Sequence, residues 1–152
     1  MFFLISTTLF FLGAIVASFV GVVVVRLNTG KSFLTGRSRC DACSVPLAPQ
    51  QLVPLFSYFF SAGRTRCCGT RLSWNAPLSE LLLGVLFVLA YQTLDLSYAL
   101  LSMLVALSTL LALVLYDFAH QILPFSLLGV FIVASALSSF ILAPSWSAFE
   151  SD

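Results

Sequence analysis

Four cysteines lie in one short polar stretch of this sequence, in an arrangement that could hold a metal ion. Cys40 and Cys43 form a CxxC pair, and the adjacent Cys67 and Cys68 follow after a gap close to that of zinc ribbons. Two pairs of thiolates are a common ligand set for tetrahedral zinc. We expect Cys40, Cys43 and Cys68 to be the firmest ligands, with Cys67 as an adjustable fourth. Because adjacent cysteines can both ligate only with local distortion, unligated thiols are the first alternative, and a redox-active CxxC is the second.

Two carboxylates are candidates for chemistry because each lies in or beside an apolar run. Asp117 ends one such run, and an ionisable group at membrane depth is a functional candidate by default. The alternative for Asp117 is a helix-end carboxylate that simply reaches water, with His120 as a pairing partner if the helix continues or as a solvated loop residue if it does not. Glu80 lies near the start of another run, where a carboxylate stabilises a helix N-terminus.

The elements that position these residues are membrane helices. Hydrophobic residues make up 60% of the chain, charged residues 9%, and the mean hydropathy is +1.06. Four apolar runs, at residues 2–25, 78–94, 97–116 and 125–143, are long enough to cross a hydrocarbon core about 30 Å thick. The sequence therefore predicts an all-α membrane protein with four transmembrane helices and a cytoplasmic cysteine-containing loop between the first two.

Details of the first run and of the loop that follows it refine this prediction. The first run has its basic residues after it rather than before it, which argues against the alternative of a cleaved signal peptide. Gly13, Ala17 and Gly21 recur every four residues and predict a face suited to close helix packing. Residues 52–60 are apolar but too short to span, so we expect them to lie at the membrane interface or to pack on the helix ends.

The distribution of charge predicts the topology. All seven Lys and Arg residues lie between Arg26 and Arg71, which by the positive-inside rule makes that loop cytoplasmic. The N-terminus and Asp95 are then outside, and Asp117 returns to the cytoplasmic side. Seven charges in a cysteine loop beside a membrane are poor support for nucleic-acid binding, so the lipid bilayer is the expected environment and no nucleic acid is expected as a partner.

Several segments occur in a characteristic order along the chain, namely SRCDAC, VPLFSYFFSAGRTRCCG and LSWNAPLSELLLG, followed by LYD and ILP around Asp117. Together they resemble the N-terminal portion of the type IV prepilin leader peptidase and N-methyltransferase family, membrane aspartic peptidases that also methylate. The resemblance implies that Asp117 is the first catalytic aspartate. It also implies that Glu80 serves the methyltransferase half, with Arg64, Arg66 or Arg71 as an ion partner, and that S-adenosylmethionine is the methyl donor; it assigns no cofactor-binding residues.

The sequence departs from the family at two important points. Thr65 stands where the family usually begins its second CxxC, and the second catalytic aspartate motif, Gly-x-Gly-Asp, does not occur. An aspartic peptidase needs one ionised and one protonated carboxyl group, with pKa values split by their proximity, so a single aspartate cannot perform both roles. We therefore expect a truncated product, a half complemented by another peptidase chain, or a degenerate paralogue.

The expected organisation has two parts. Residues 1–94 form the methyltransferase-like region with its cysteine loop at 26–77, and residues 95–152 begin the aspartic peptidase region. The first functional hypothesis is a prepilin peptidase and methyltransferase, or a piece of one, acting on prepilin-like substrates at the cytoplasmic face of the inner membrane. The alternative is a non-catalytic membrane paralogue whose zinc-knuckle loop binds or assembles partners.

Overall fold

Four long helices account for most of the chain. The computed structural model describes residues 1–27, 43, 45–46, 58, 61, 63–65, 67–71 and 74–147, with side chains to Leu142. The helices are α1 (Phe2–Arg26), α2 (Asn75–Leu94), α3 (Tyr98–His120) and α4 (Phe125–Ser147). Each is long and apolar enough to span a membrane, and no β-strand occurs among the described residues. The predicted all-α membrane fold is confirmed.

Helices α1 and α2 cross so closely that their backbones touch. A Cβ atom placed on Gly13 would lie 2.8 Å from the Cα of Gly84, and one placed on Gly84 would lie 2.9 Å from the carbonyl oxygen of Phe10. The rings of Phe2 and Tyr91 stack at 5.7 Å. Because early α1 residues contact late α2 residues, the two helices run antiparallel.

The small-residue face predicted for α1 is correct only in part. Gly13 and Ala17 are buried, as the spacing predicted, but a Cβ on Gly21 would meet nothing within 4 Å. The close approach is therefore confined to one crossing point and does not follow the whole repeat. Straight helices that cross at an angle separate within a few turns of their contact, which explains why the repeat outlasts the contact.

Helix α3 packs against α1 and α2, and α4 packs against α3. Its N-cap is Ser97, whose hydroxyl accepts a hydrogen bond from the Leu100 amide at 3.2 Å. Leu100, Leu104, Leu111 and Tyr116 contribute to a core shared with Val20 and Phe87, among others. The turn at residues 95–97 is short, so α3 runs antiparallel to α2. The end of α1, the start of α2 and the end of α3 consequently lie at one end of the bundle.

The contact between α3 and α4 includes a hydrogen bond at membrane depth. The Ser138 hydroxyl donates to the Ser102 hydroxyl at 3.0 Å, and both side chains are buried. Several other hydroxyls in the spans lie within hydrogen-bond distance of a carbonyl four residues earlier in their own helix, which removes the penalty of an unsatisfied polar group in lipid.

Helix α3 is longer than the sequence indicated. The predicted break at residues 117–124 begins later, because the helix continues to His120 and ends at Gln121 in the left-handed conformation, with φ 54°. The apolar pattern ends at Tyr116, but Asp117 to His120 contain no Gly or Pro that would stop a helix. Asp117 therefore lies on a helix rather than in a loop.

Candidate metal centre and membrane carboxylates

A short hairpin presents the second pair of cysteines. Arg64 and Arg71 form an antiparallel β-bridge, and the Thr65 amide donates to the Thr70 carbonyl at 2.8 Å. The Gly69 amide closes the turn by donating to the Thr65 carbonyl at 2.9 Å, and Gly69 has φ +70°, a conformation that glycine adopts without steric penalty. The tight turn brings the side chains of its two cysteines close to each other.

Three thiols meet at this hairpin. The sulfur atoms of Cys43, Cys67 and Cys68 all lie within 4.8 Å of one another. Cys43 Sγ and Cys67 Sγ are 3.1 Å apart, and Cys67 Sγ and Cys68 Sγ are 3.8 Å apart. A tetrahedral zinc with Zn–S bonds of about 2.3 Å separates its sulfur ligands by about 3.8 Å, so this donor set fits zinc. The fourth predicted ligand, Cys40, lies outside the described residues.

The adjacent cysteines both belong to the cluster. Cys67 Sγ is within 3.8 Å of both other sulfur atoms, at 3.1 Å from Cys43 Sγ and 3.8 Å from Cys68 Sγ, and its role as the adjustable ligand stays a prediction. Cys67 thus supplies a sulfur to the cluster in a hairpin where Thr65 stands in place of the cysteine that usually begins the family's second CxxC. The thiols described in the hairpin region are free of disulfides.

Two threonine hydroxyls surround the sulfur of Cys68. Thr65 Oγ1 lies 3.1 Å from Cys68 Sγ, Thr70 Oγ1 lies 3.2 Å from it, and the two hydroxyl oxygens are 2.8 Å apart. Hydroxyls that donate to a thiolate stabilise its charge and orient it, as outer-shell groups do around metal ligands. The threonine at position 65 therefore contacts a candidate ligand. Sequence reasoning missed Thr70, and its place directly after Cys68-Gly69 was the available signal.

An aromatic contact joins the segment before the hairpin to the start of α2. The rings of Tyr58 and Trp74 lie 4.8 Å apart, and Trp74 is 69% exposed at the N-cap of α2. Tyr and Trp are enriched where membrane meets water, which is the environment expected for residues 52–60. Of that segment the structure describes Tyr58 alone, so its placement at the interface stays a prediction.

Glu80 is a buried acid in the second turn of α2. Its side chain is 6% exposed. Gly84, one turn later, meets Gly13, so the antiparallel arrangement places Glu80 at the level of Ala17, one turn beyond Gly13 on α1. Neither Arg64 nor Arg71 forms an ion pair with Glu80 in the part of the chain that the structure describes, and Arg66 lies outside it. A carboxylate at this depth needs satisfied polar contacts.

Asp117 is exposed on the last turn of α3, at the same end of the bundle as the cysteine hairpin. His120 does not pair with it in the described structure. Its ring lies against that of Tyr116 instead, with centroids 4.4 Å apart. Tyr116 is one full turn before His120 and on the same helix face, which explains this preference. The carboxylate of Asp117 is thus directed away from the buried core.

The sequence was compared with known families and proteins. The sequence profile described as "Bacterial Peptidase A24 N-terminal domain" matches residues 11–94. This chain belongs to that family. The A24 N-terminal match covers α1 from residue 11 onward, the cysteine hairpin and α2, and so includes Glu80 and all four cysteines.

Curated relatives extend the similarity of this A24 member beyond α2. The chain is 39% identical over 124 residues to the prepilin leader peptidase/N-methyltransferase of Myxococcus xanthus (strain DK1622), covering 82% of this chain and 37% of that protein. It is 38% identical over 128 residues to the protein of the same name from Klebsiella pneumoniae, covering 80% and 56%. The Bacillus subtilis (strain 168) protein of that name is 30% identical over 142 residues, covering 92% and 57%.

The chain thus spans between 37% and 57% of the length of these relatives. The resemblance to the N-terminal portion of the prepilin peptidase family is confirmed. No solved structure matches the chain.

Proposed function

We propose that this chain supplies the cysteine module and one catalytic aspartate of a prepilin leader peptidase and N-methyltransferase that processes type IV prepilin-like substrates. This proposal rests on where two groups of residues lie in the bundle. The thiol cluster at Cys43, Cys67 and Cys68 and the carboxylate of Asp117 lie at one end of a four-helix bundle, although they are far apart in sequence. A substrate at that membrane face would reach both.

Asp117 is proposed as half of the proteolytic dyad. An exposed carboxylate at the end of a membrane helix can bind a water molecule and remove its proton during attack on a peptide carbonyl. The second, protonated carboxyl group must come from outside these 152 residues, which contain no Gly-x-Gly-Asp. Glu80 cannot readily serve, because it is buried within α2 whereas Asp117 is exposed.

The cysteine cluster is proposed to bind one zinc ion through Cys43, Cys67, Cys68 and Cys40. Bound zinc would join the two halves of the loop between α1 and α2, a structural role typical of closed four-thiolate sites. The relatives are named N-methyltransferases, and S-adenosylmethionine, the methyl donor that the family resemblance implies, would supply the methyl group. Glu80 is proposed to act in the methylation reaction, where its negative charge would favour binding of a cationic ligand or of the substrate amine.

Complementation with the missing half tests the proteolytic role. We would co-express the chain with a C-terminal fragment of a related peptidase bearing Gly-x-Gly-Asp, and measure removal of a prepilin leader. The pair should cleave, and Asp117→Asn should lower the rate by about 10²–10⁴-fold, the usual contribution of a positioned acid or base. Asp95→Asn is the matched control because Asp95 is an exposed acid at the other end of the bundle. Cleavage that survives Asp117→Asn would remove Asp117 from the dyad.

The methylation role needs a separate readout. In the same pair, Glu80→Gln should abolish methylation of the new N-terminus, measured by mass spectrometry, while leader removal continues. Simultaneous loss of both activities together with loss of helical content would assign Glu80 a structural role instead.

A non-catalytic membrane paralogue is the second candidate. The threonine at position 65, in place of the cysteine that usually begins the family's second CxxC, favours it. On this reading the zinc-knuckle loop binds a prepilin or a sister peptidase chain. Stable co-purification of the chain with a prepilin-like protein, without cleavage by any complemented pair, would favour this candidate.

The proposed location is the inner membrane, with the N-terminus outside and the cysteine loop in the cytoplasm. The confinement of every Lys and Arg to one loop supports this orientation. Single cysteines at position 31 or 95, introduced after the four native cysteines are removed, report it in intact cells. A membrane-impermeant reagent should label position 95 and spare position 31, and the reverse pattern would invert the topology.

A further inference from the structure

Two arginines face each other across the cysteine hairpin. Arg64 and Arg71 are the two partners of its antiparallel β-bridge, and both are exposed. Directly opposed residues in an antiparallel pair project from the same face of the ribbon, with Cα atoms about 4.5–5.5 Å apart. Their guanidinium groups can therefore converge on one small ligand.

This arrangement is unfavourable unless an anion joins it. Like charges directly opposite each other destabilise a β-ribbon. Within the described part of the chain, no carboxylate forms an ion pair with Arg64 or Arg71. Among the described residues, Glu80 and Asp117 are the acids at this end of the bundle, and neither forms an ion pair with Arg64 or Arg71. With respect to these described acids, the two positive charges are available to a ligand from outside the chain.

The hairpin lies beside the membrane surface. The candidate span of α2 begins at Asn75, and four residues of chain can reach at most about 14 Å, so Arg71 lies within that distance of the start of the span. Trp74 lies between them, 69% exposed and in contact with Tyr58, as expected for an aromatic anchor at headgroup level. Headgroup zones are about 5–8 Å thick on each side of the hydrocarbon core, which places phosphate groups within reach of both arginines.

We propose that Arg64 and Arg71 form a phosphate-binding site that takes the headgroup of an anionic phospholipid. A phosphodiester offers two charged oxygens, and guanidinium groups bind such oxygens through paired hydrogen bonds. Cys67 and Cys68 occupy the turn between the two arginines, so a metal ion held by the thiols would fix the spacing of the site. This inference is independent of the proposed proteolytic and methyltransferase roles.

Trp74 provides the probe. In a Trp146→Phe background it is the single tryptophan, since the sequence has two. The full chain in neutral detergent would be titrated with dioleoylphosphatidylglycerol, with dioleoylphosphatidylcholine and with inorganic phosphate, while Trp74 fluorescence is recorded. We expect saturable binding of phosphatidylglycerol at least tenfold tighter than binding of phosphatidylcholine. Competition by inorganic phosphate would show that the phosphate itself is recognised, and its failure to compete would show that the site needs the whole headgroup.

Matched variants decide the assignment. The double variant Arg64→Gln, Arg71→Gln should weaken phosphatidylglycerol binding at least tenfold. The double variant Lys31→Gln, Arg37→Gln removes the same charge from the same loop and should change binding less than twofold. Metal content is measured in both double variants, because a collapsed hairpin would lose its metal. If the Gln variant has collapsed, the double variant Arg64→Lys, Arg71→Lys replaces it, since it keeps both positive charges. Equal weakening in both Gln variants, or equal binding of the two lipids by the parent chain, would overturn the proposal.

Discussion

In the helix bundle, α1 and α2 approach until Gly13 and Gly84 touch, whereas in the cysteine hairpin a few hydrogen bonds hold a turn whose thiols point at one another. The bundle gains its stability from packing over long helices, because lipid supplies no hydrophobic drive between them and close contact must replace it. The hairpin is too small to bury a core of its own.

This contrast indicates that the two regions are stabilised in different ways. A rigid bundle can hold Asp117 and Glu80 at fixed depths without a ligand. The proposed zinc ion would add order to the hairpin, as metals do in small metal-binding modules. The bundle should therefore survive treatments that unfold the hairpin, and the reverse should not hold. The following predictions test this asymmetry.

The largest effect is expected from loss of a thiolate. Cys68→Ser should lower zinc affinity by more than about 100-fold, because loss of an outer-shell partner alone costs about 10–100-fold. Thr70→Val, which removes a hydroxyl 3.2 Å from Cys68 Sγ, should cost about tenfold. Zinc content after purification without chelators measures both, with Ser97→Ala at the far end of the bundle as the control.

The same samples test the independence of the bundle. Helical content by circular dichroism should be unchanged within error in Cys68→Ser and after chelation. A parent chain that contains less than about a tenth of an equivalent of zinc would contradict the metal assignment, given the tight binding of structural sites. Loss of helical signal on chelation would contradict the separation of the two regions.

A smaller effect is expected at the helix crossing. Gly13→Ala places a Cβ 2.8 Å from the Cα of Gly84 and the carbonyl of Leu83, so α1 and α2 must separate. We expect a loss of about 1–3 kcal/mol in the free energy of unfolding, the usual cost of overpacking. Gly21→Ala is the matched control on the same helix, because its Cβ would meet nothing within 4 Å. Unfolding in a detergent mixture compares the variants, and equal stabilities would refute the close crossing.

The smallest effect is expected at the serine pair. Ser138→Ala removes the hydrogen bond to Ser102 and should cost about 0.6 kcal/mol, the average for such bonds between membrane helices. Ser139→Ala is the control, since its hydroxyl is exposed and bonds within its own helix. A cost above about 2 kcal/mol would mean that the pair contributes more than such bonds usually do.

The sequence by itself determined the membrane architecture. Apolar runs of sufficient length leave a chain few alternatives in lipid, where each backbone amide must be bonded within its own helix, so all four spans were predictable. Ser97 was taken as the first residue of its span and is in fact the helix N-cap, a difference of one residue. The cysteine spacing likewise indicated a thiol cluster, because two cysteine pairs separated by a gap of this length are typical of zinc ribbons.

Tertiary structure decided which of the equivalent residues matter. Gly13 and Gly21 look alike in sequence, but only Gly13 lies where α2 leaves no room for a Cβ atom. The extension of α3 to His120 follows from the absence of a stop signal rather than from hydrophobic pattern. The contacts of Thr65 and Thr70 with Cys68, and the pairing of Arg64 with Arg71, depend on the register of one hairpin. A register shift of one residue would send these side chains to the other face, which is why residue types alone could not specify them.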